Sequence, residues 1–257
     1  DYSSFSNNGS VKNGGVYNST AGVDGRGAYS FDGIDDYISV STTNIPAITN
    51  QLTIEAWLKK QGTISAAGPR IIVRERSLDL FNWALAITAA TPRYQFFLYN
   101  GTGTSSTVTS NLTPVNGEWN HIVAVYNTTH MLIYANGQLS NSTATVPGNL
   151  NEVAGQPICI GNRACTGGTN RPFNGTIDFV RVYNIALTSD EIRLLYQNRT
   201  DSVDQSHTTT GDVWHARVTP HDGTTEGQTV TSNNLTIVSA NDAPTLQNVI
   251  LNSTLGT

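Results

Sequence analysis

Asn-Gly occurs six times in this 257-residue chain, at Asn8, Asn13, Asn100, Asn116, Asn136 and Asn174. The pair readily takes positive φ at both central positions of a two-residue hairpin turn, so each copy marks a place where one strand can fold back on the next. Punctuation of this kind points to an all-β fold of antiparallel strands.

The segments between the turns agree. Leu52-Thr-Ile-Glu-Ala-Trp-Leu-Lys-Lys60 alternates, with Leu52, Ile54, Ala56 and Leu58 on one face and Thr53, Glu55, Trp57 and Lys59 on the other, which predicts a half-buried strand. Trp119-Asn-His-Ile-Val-Ala-Val-Tyr126 is apolar on both faces and predicts a central strand. His130 to Ala135, then Asn136-Gly137, then Gln138 onward reads as a hairpin. One helix is expected. In Leu187-Thr-Ser-Asp-Glu-Ile-Arg-Leu-Leu-Tyr196, Thr188 and Glu191 have capping-box spacing, and Leu187 with Ile192 can close a hydrophobic staple.

After Tyr196 the chain turns polar to about Thr210, as a connector does. Beyond it two strands are expected, at 212–219 and 229–238, with a third after Ala243-Pro244, over residues 246–251. A lone hairpin is marginal in water, so these strands need further pairing.

Phe31-Asp-Gly-Ile-Asp-Asp-Tyr-Ile38, Leu52-Thr-Ile-Glu-Ala-Trp57, Trp119-Asn-His-Ile122, Ile133-Tyr-Ala-Asn-Gly137 and Phe173-Asn-Gly-Thr-Ile-Asp-Phe-Val-Arg-Val-Tyr183, followed by the capped helix, resemble the laminin-G-like jelly rolls of the concanavalin A-like lectin and glucanase superfamily. Residues 211–239 resemble the closing strands of an immunoglobulin-like repeat of microbial surface proteins. There a Trp precedes a core position often filled by Cys; here Trp214 is followed by Ala216, so the inter-sheet disulfide of such domains is excluded. Asn241-Asp-Ala-Pro244 resembles the opening of another repeat. The resulting expectation is an all-β chain: a jelly-roll β-sandwich with one short C-terminal helix over 1–199, a partial immunoglobulin-like β-sandwich over 200–242, and an opening or donated strand over 243–257.

Ten Asn-x-Ser/Thr sequons, at Asn8, Asn18, Asn100, Asn111, Asn127, Asn141, Asn174, Asn198, Asn234 and Asn252, predict N-linked glycans and an extracellular or cell-surface location. Cys159 and Cys165, with five residues between them, read as a small-loop disulfide in an oxidising compartment; the alternative is two buried thiols. Charged residues are only 13% of the chain and the net charge is -5, with no basic stripe, which excludes an electrostatic nucleic-acid partner. No apolar run reaches the length of a membrane span. The chain begins at Asp1 without methionine, as a portion of something longer would.

Glycosidases of the resembled superfamily carry paired carboxylates at alternate positions of one strand. No such strand occurs; the nearest acids are Glu55 alone and the cap residues Asp190 and Glu191, so a non-catalytic chain is expected. The resemblance implies a structural calcium ion, with Asp178 as a ligand and Asp1 as a partner. Asp32, Asp35 and Asp36 form a second acidic group, which reads equally as a turn with solvated carboxylates. Trp83, Tyr94, Phe96 and Tyr99 are either a sugar-stacking platform or core. The main functional expectation is a structural glycoprotein, the repeating unit of a surface fibre or stalk. Its Leu246, Val249, Ile250 and Leu251 would complete another copy or an adjacent repeat head to tail. The alternative is a carbohydrate-binding adhesin module.

Overall fold

The computed structural model describes residues 7–43, 45, 48–65, 68–77, 80–99, 105–144, 150, 155–163, 165, 169–198, 208–218 and 227–238. The chain divides into two units, 1–197 and 198–257.

In the first unit the elements run β1 (Gly9–Lys12), β2 (Val16–Asn18), β3 (Ala28–Asp32), β4 (Tyr37–Val40), β5 (Leu52–Lys60), β6 (Arg70–Ser77), β7 (Leu80–Ile87), β8 (Tyr94–Tyr99), β9 (Ser105–Thr109), β10 (Trp119–Tyr126), β11 (Met131–Ala135), β12 (Gln138–Thr143), β13 (Ile158–Ile160), β14 (Asn174–Tyr183) and α1 (Ser189–Tyr196). They form two antiparallel seven-stranded sheets, in the orders β1-β4-β13-β6-β7-β8-β9 and β12-β11-β10-β5-β14-β3-β2. Of the first four strands, β1 and β4 join the first sheet and β2 and β3 the second. β1 and β2 are each an edge strand, one in each sheet, and the sandwich is a jelly roll.

Alternation along each strand builds the core. Leu52, Ile54, Ala56 and Leu58 of β5 face Trp83 and Leu85 of β7 and Tyr94, Phe96 and Leu98 of β8 in one cluster, joined by Ile122, Ala124 and Tyr126 of β10. Burying each of the Leu, Ile and Phe side chains contributes roughly 1.5–3 kcal/mol. β10 lies between β5 and β11, the central position its two apolar faces predict.

The hairpin between β11 and β12 turns at Asn136 and Gly137, with φ of 52° and 77°. The helix carries both arms of its box: Thr188 Oγ1 accepts from the Glu191 amide at 3.2 Å, and Glu191 Oε2 accepts from the Thr188 amide at 2.7 Å. Leu187 and Ile192 pack together with Val123, Val125 and Tyr134. The helix therefore covers the outer face of the second sheet. That corrects the expectation for β5: Thr53 and Glu55 point outward, yet both are fully buried, so the strand is covered on both sides over its first half.

In the second unit the two expected strands form a hairpin broken into short ladders. β15 (Val213–Trp214) pairs with β18 (Leu235–Thr236), and β16 (Arg217–Val218) with β17 (Val230–Thr231). Between the ladders the Ala216 amide donates to the Ser232 hydroxyl at 2.8 Å, while the Ser232 amide donates to the Ala216 carbonyl. A side chain there replaces a main-chain acceptor, and the regular register stops. No third strand joins this hairpin among the described residues.

Candidate functional site

Two features of the second sheet bring polar groups together. The first lies under the helix. Glu55 is fully buried, and its Oε1 accepts from Arg181 Nη1 at 2.8 Å and meets His121 Nε2 at 3.2 Å, while its Oε2 accepts from the Tyr183 hydroxyl at 3.2 Å. Arg181 reaches Glu55 because β14 bulges. Asp178 pairs with Trp57 and Arg181 with Glu55, so Phe179 and Val180 together oppose Ala56 alone. Phe179 takes φ of 45° to make the bulge, a conformation that costs an L residue energy and persists only where the surroundings impose it. Burial, and then the Glu55 charge, push the Tyr183 phenol above its ordinary pKa. Trp57 packs between His121 and Tyr196, with ring centroids 5.0 and 5.7 Å away. A carboxylate so enclosed by donors ties β5 to its two neighbours, β10 and β14. It has no exposure with which to reach a substrate.

The second feature is an open pocket of about 390 Å³ at the end of the sheet where β5 begins and β10 and β14 finish. Ile48, Thr49, Asn50, Gln51, Thr128 and Asn184 line it. Each wall has a local cause. The Thr49 carbonyl accepts from the Leu150 amide at 2.8 Å. Gln51 Oε1 accepts from the Ala186 amide at 3.3 Å, and Thr53 Oγ1 both donates to the Ile185 carbonyl and accepts from the Leu187 amide. These bonds fix the chain that leaves β14 beside the chain that enters β5. On the third side Asn127 Oδ1 accepts from the Thr129 amide, the Thr129 hydroxyl and the His130 amide, at 3.2, 3.0 and 2.8 Å. That closure leaves Thr128 with φ of 78°, rare for a β-branched residue. Among the described residues the lining carries no charged side chain: two hydroxyls and three amides, which both donate and accept, surround one aliphatic residue.

Of the sequence-predicted residues, Asn127 closes the turn beside the pocket, and the following lie elsewhere. Trp83, Tyr94 and Phe96 are fully buried between the sheets, so they are core and not a stacking platform; Tyr99 sits on the opposite face of β8, with Gln95 and Phe97. A disulfide joins Cys159 and Cys165, with Cα atoms 5.8 Å apart, and Cys159 packs against Val73 and Ala84. Asp178 Oδ2 accepts from the Val23 amide at 3.0 Å and Oδ1 from the Phe179 amide at 2.8 Å. Burial raises its pKa above 3.8, offset in part by those two amides. Both oxygens are thus engaged by main chain, and the charge of Asp24 also acts on this carboxyl. Asp1, the sequons at Asn100 and Asn252, and Leu246, Val249, Ile250 and Leu251 lie outside the described residues. Asp32, Asp35 and Asp36 do gather, with carboxylate oxygens within 4.8 Å of one another. The pocket itself was invisible in the sequence, because its walls come from positions 48–51, 128 and 184; the one local signal was the Asn127-Thr-Thr turn.

The family model described as the concanavalin A-like lectin/glucanases superfamily matches residues 31–193. No curated protein matches the chain. Among solved structures, domain 4 of AbnA, a GH43 extracellular arabinanase from Geobacillus stearothermophilus, in complex with arabinotriose, is 17% identical over 74% of this chain and 88% of that one, with a TM-score of 0.57. The binding domain of paraclostridial mosquitocidal protein 1 is 16% identical over 76% of this chain and 48% of that one, with a TM-score of 0.60. The ligand-binding domain of botulinum neurotoxin serotype D in complex with N-acetylneuraminic acid is 16% identical over 76% and 47%, with a TM-score of 0.57. This chain spans about half of each toxin domain. At these identities the likeness is one of fold.

Proposed function

The chain belongs to the concanavalin A-like lectin/glucanases superfamily, and from that membership we propose that it is a non-catalytic, extracellular carbohydrate-binding module. The observation that carries this reading is the amide- and hydroxyl-lined pocket at Thr49, Asn50, Gln51, Thr128 and Asn184, uncharged among the described residues. Its volume suits a small ligand. A neutral sugar presents hydroxyls that donate and accept at once, and carboxamides answer both roles without the desolvation cost of a buried charge. The strained Thr128 supports the same reading, since such residues cluster at ligand sites. The complexes with arabinotriose and N-acetylneuraminic acid in this fold make carbohydrate the ligand class to test first.

Non-catalysis fits the acids: Glu55 is fully buried in its ion-paired network and Glu191 is engaged in the helix cap. The Cys159–Cys165 disulfide suits an oxidising compartment. Calcium belongs to the reading as a structural ion for which the Asp32, Asp35 and Asp36 group offers oxygen-only chemistry; chelation should lower Tm and added calcium restore it, and an unchanged Tm removes the ion. The fibre expectation has no residue of its donated strand within the described chain, and sugar binding replaces it as the conclusion.

The test is a glycan array followed by calorimetry on the best binders, with Asn50→Ala and Asn184→Ala as the site variants. Binding with Kd in the micromolar to millimolar range, about -8 to -4 kcal/mol, lost in both variants at unchanged Tm, is the expected result. An array without a hit, or binding untouched by both substitutions, overturns it.

A further inference from the structure

Four sequon asparagines use their carboxamides in two opposed ways. Asn18 Oδ1 accepts from the Thr20 amide at 3.0 Å and from the Thr20 hydroxyl at 3.1 Å. Asn127 Oδ1 accepts from the same two groups of Thr129 and from the His130 amide. In both, the oxygen faces inward to the hydroxyl two residues on, and Nδ2 donates to none of the described residues. Asn111 and Asn141 are the reverse. Asn111 Nδ2 donates to the Ser140 carbonyl at 2.6 Å, and its amide donates to the Ser140 hydroxyl at 2.8 Å. Asn141 Nδ2 donates to the Thr109 carbonyl at 2.9 Å, and its Oδ1 accepts from the Ser142 amide at 2.9 Å. β9 is the edge of the first sheet and β12 the edge of the second, so these side chains stitch the two sheets together where no main-chain ladder crosses.

We propose that Asn18 and Asn127 are N-linked glycan acceptors, and that Asn111 and Asn141 are seam residues that stay unmodified in the folded protein. The reaction needs a lipid-linked sugar phosphate or pyrophosphate donor and its transferase. The sugar C1–O bond to phosphate breaks, a C1–Nδ2 bond forms, one Nδ2 proton passes to a base on the transferase, and the lipid phosphate or pyrophosphate leaves with the bonding pair. A hydroxyl donating to Oδ1, as from Thr20 and Thr129, holds the carboxamide with Nδ2 turned away from the chain. At Asn111 and Asn141 the same nitrogen is turned into the seam, and a sugar on it must displace the bond to the facing strand. Asn174 falls with the seam residues. It is half-buried, and its Nδ2 lies 2.9 Å from where a Cβ on Gly62 would stand and 3.2 Å from that on Gly33. The space that two glycines leave there is for the Asn side chain alone.

The test is secretion of the full chain from an N-glycosylating host, followed by enzymatic deglycosylation in heavy-oxygen water and peptide mass spectrometry. In a second arm, folded chain from a non-glycosylating host is exposed to a single-subunit oligosaccharyltransferase with its lipid-linked donor. This arm decides if secretion fails. Occupancy at Asn18 and Asn127 at least tenfold above that at Asn111, Asn141 and Asn174 is expected in each. Bare Asn18 and Asn127, or equal occupancy across all five, overturns the assignment. Neither outcome depends on whether the pocket binds sugar.

Discussion

The Tyr196 ring lies nearly parallel to the Trp57 indole, with centroids 5.7 Å apart and 14° between planes. Gly137, in the turn between β11 and β12, passes beneath that ring: a Cβ added to it would stand 2.8 Å from Tyr196 Cδ1. The last turn of the helix, the strand below it and the hairpin beside it thus meet at one point. An Asn-Gly turn selected for its backbone also clears the space for an aromatic stack.

Gly137→Ala therefore carries two costs. The left-handed backbone, φ 77°, costs an L residue about 1–2 kcal/mol, and the clash with Tyr196 adds to it. Tyr196→Ala alone should cost about 1 kcal/mol, the stack beyond its simple burial. Urea denaturation of both single variants and the double variant separates the terms. The double should be more stable than the sum predicts, because removing the ring removes the clash; strict additivity would show that Gly137 acts through its backbone alone.

Glu55→Ala should be among the most destabilising substitutions in the first unit. It leaves Arg181, His121 and Tyr183 without the acceptor they share, and breaking a buried ion pair from one side typically costs about 3–5 kcal/mol. Arg181→Ala should cost less, since a third of that side chain already reaches water. A smaller loss for Glu55→Ala than for Arg181→Ala in denaturant would contradict the network as drawn.

Asp36 gives a pH-dependent prediction. The residue is 3% exposed; its Oδ2 accepts from the Asp32 amide at 3.0 Å, and its Oδ1 meets no hydrogen-bond partner among the described residues. Burial chiefly, and then the charges of Asp32 and Asp35, raise its carboxyl above 3.8, against the opposing effect of that amide. A carboxyl with a raised folded pKa binds its proton more tightly in the native state. Its contribution to stability is greatest below the unfolded value, falls as pH rises through the folded value, and is level above it. Asn cannot ionise and its oxygen can still accept from Asp32. Asp36→Asn should therefore gain stability relative to the natural chain between pH 3 and pH 7. Thermal melts at both pH values check the sign, and a relative loss on going to pH 7 would show the carboxylate to be favoured.

How much of this was legible in the sequence follows from how local each feature is. The alternation of β5, the Asn136-Gly137 turn and the Thr188 and Glu191 cap each rest on a few adjacent residues, and all three are present in the structure. The burial of Glu55 was not legible, because it depends on a helix more than a hundred residues later covering the outward face. The bulge at Phe179 left no mark in a segment that reads as an unbroken strand. The aromatic residues of β8 were half legible: alternation separates Tyr94 and Phe96 from Tyr99, but not which set meets the core. The pocket depends on three segments meeting, and periodicity within one segment carries no information about that.

Thr128 joins strain to the proposed function, and one substitution divides the two. At φ 78° a β-branched residue is held against its preference, and replacing it with glycine should release about 1 kcal/mol of that strain, less the extra entropy glycine gives the unfolded chain. Thr128→Gly also removes a hydroxyl from the pocket wall. The variant should match or exceed the natural chain in Tm while binding the sugar identified by the array several-fold more weakly. Lower Tm with unchanged binding would mean that the Thr128 side chain is packed for stability and takes no part in recognition. Higher Tm with unchanged binding would leave the strain without a role in the pocket. Only a residue kept at a stability cost for its contact with ligand gives both changes together, and the two measurements need the same two proteins.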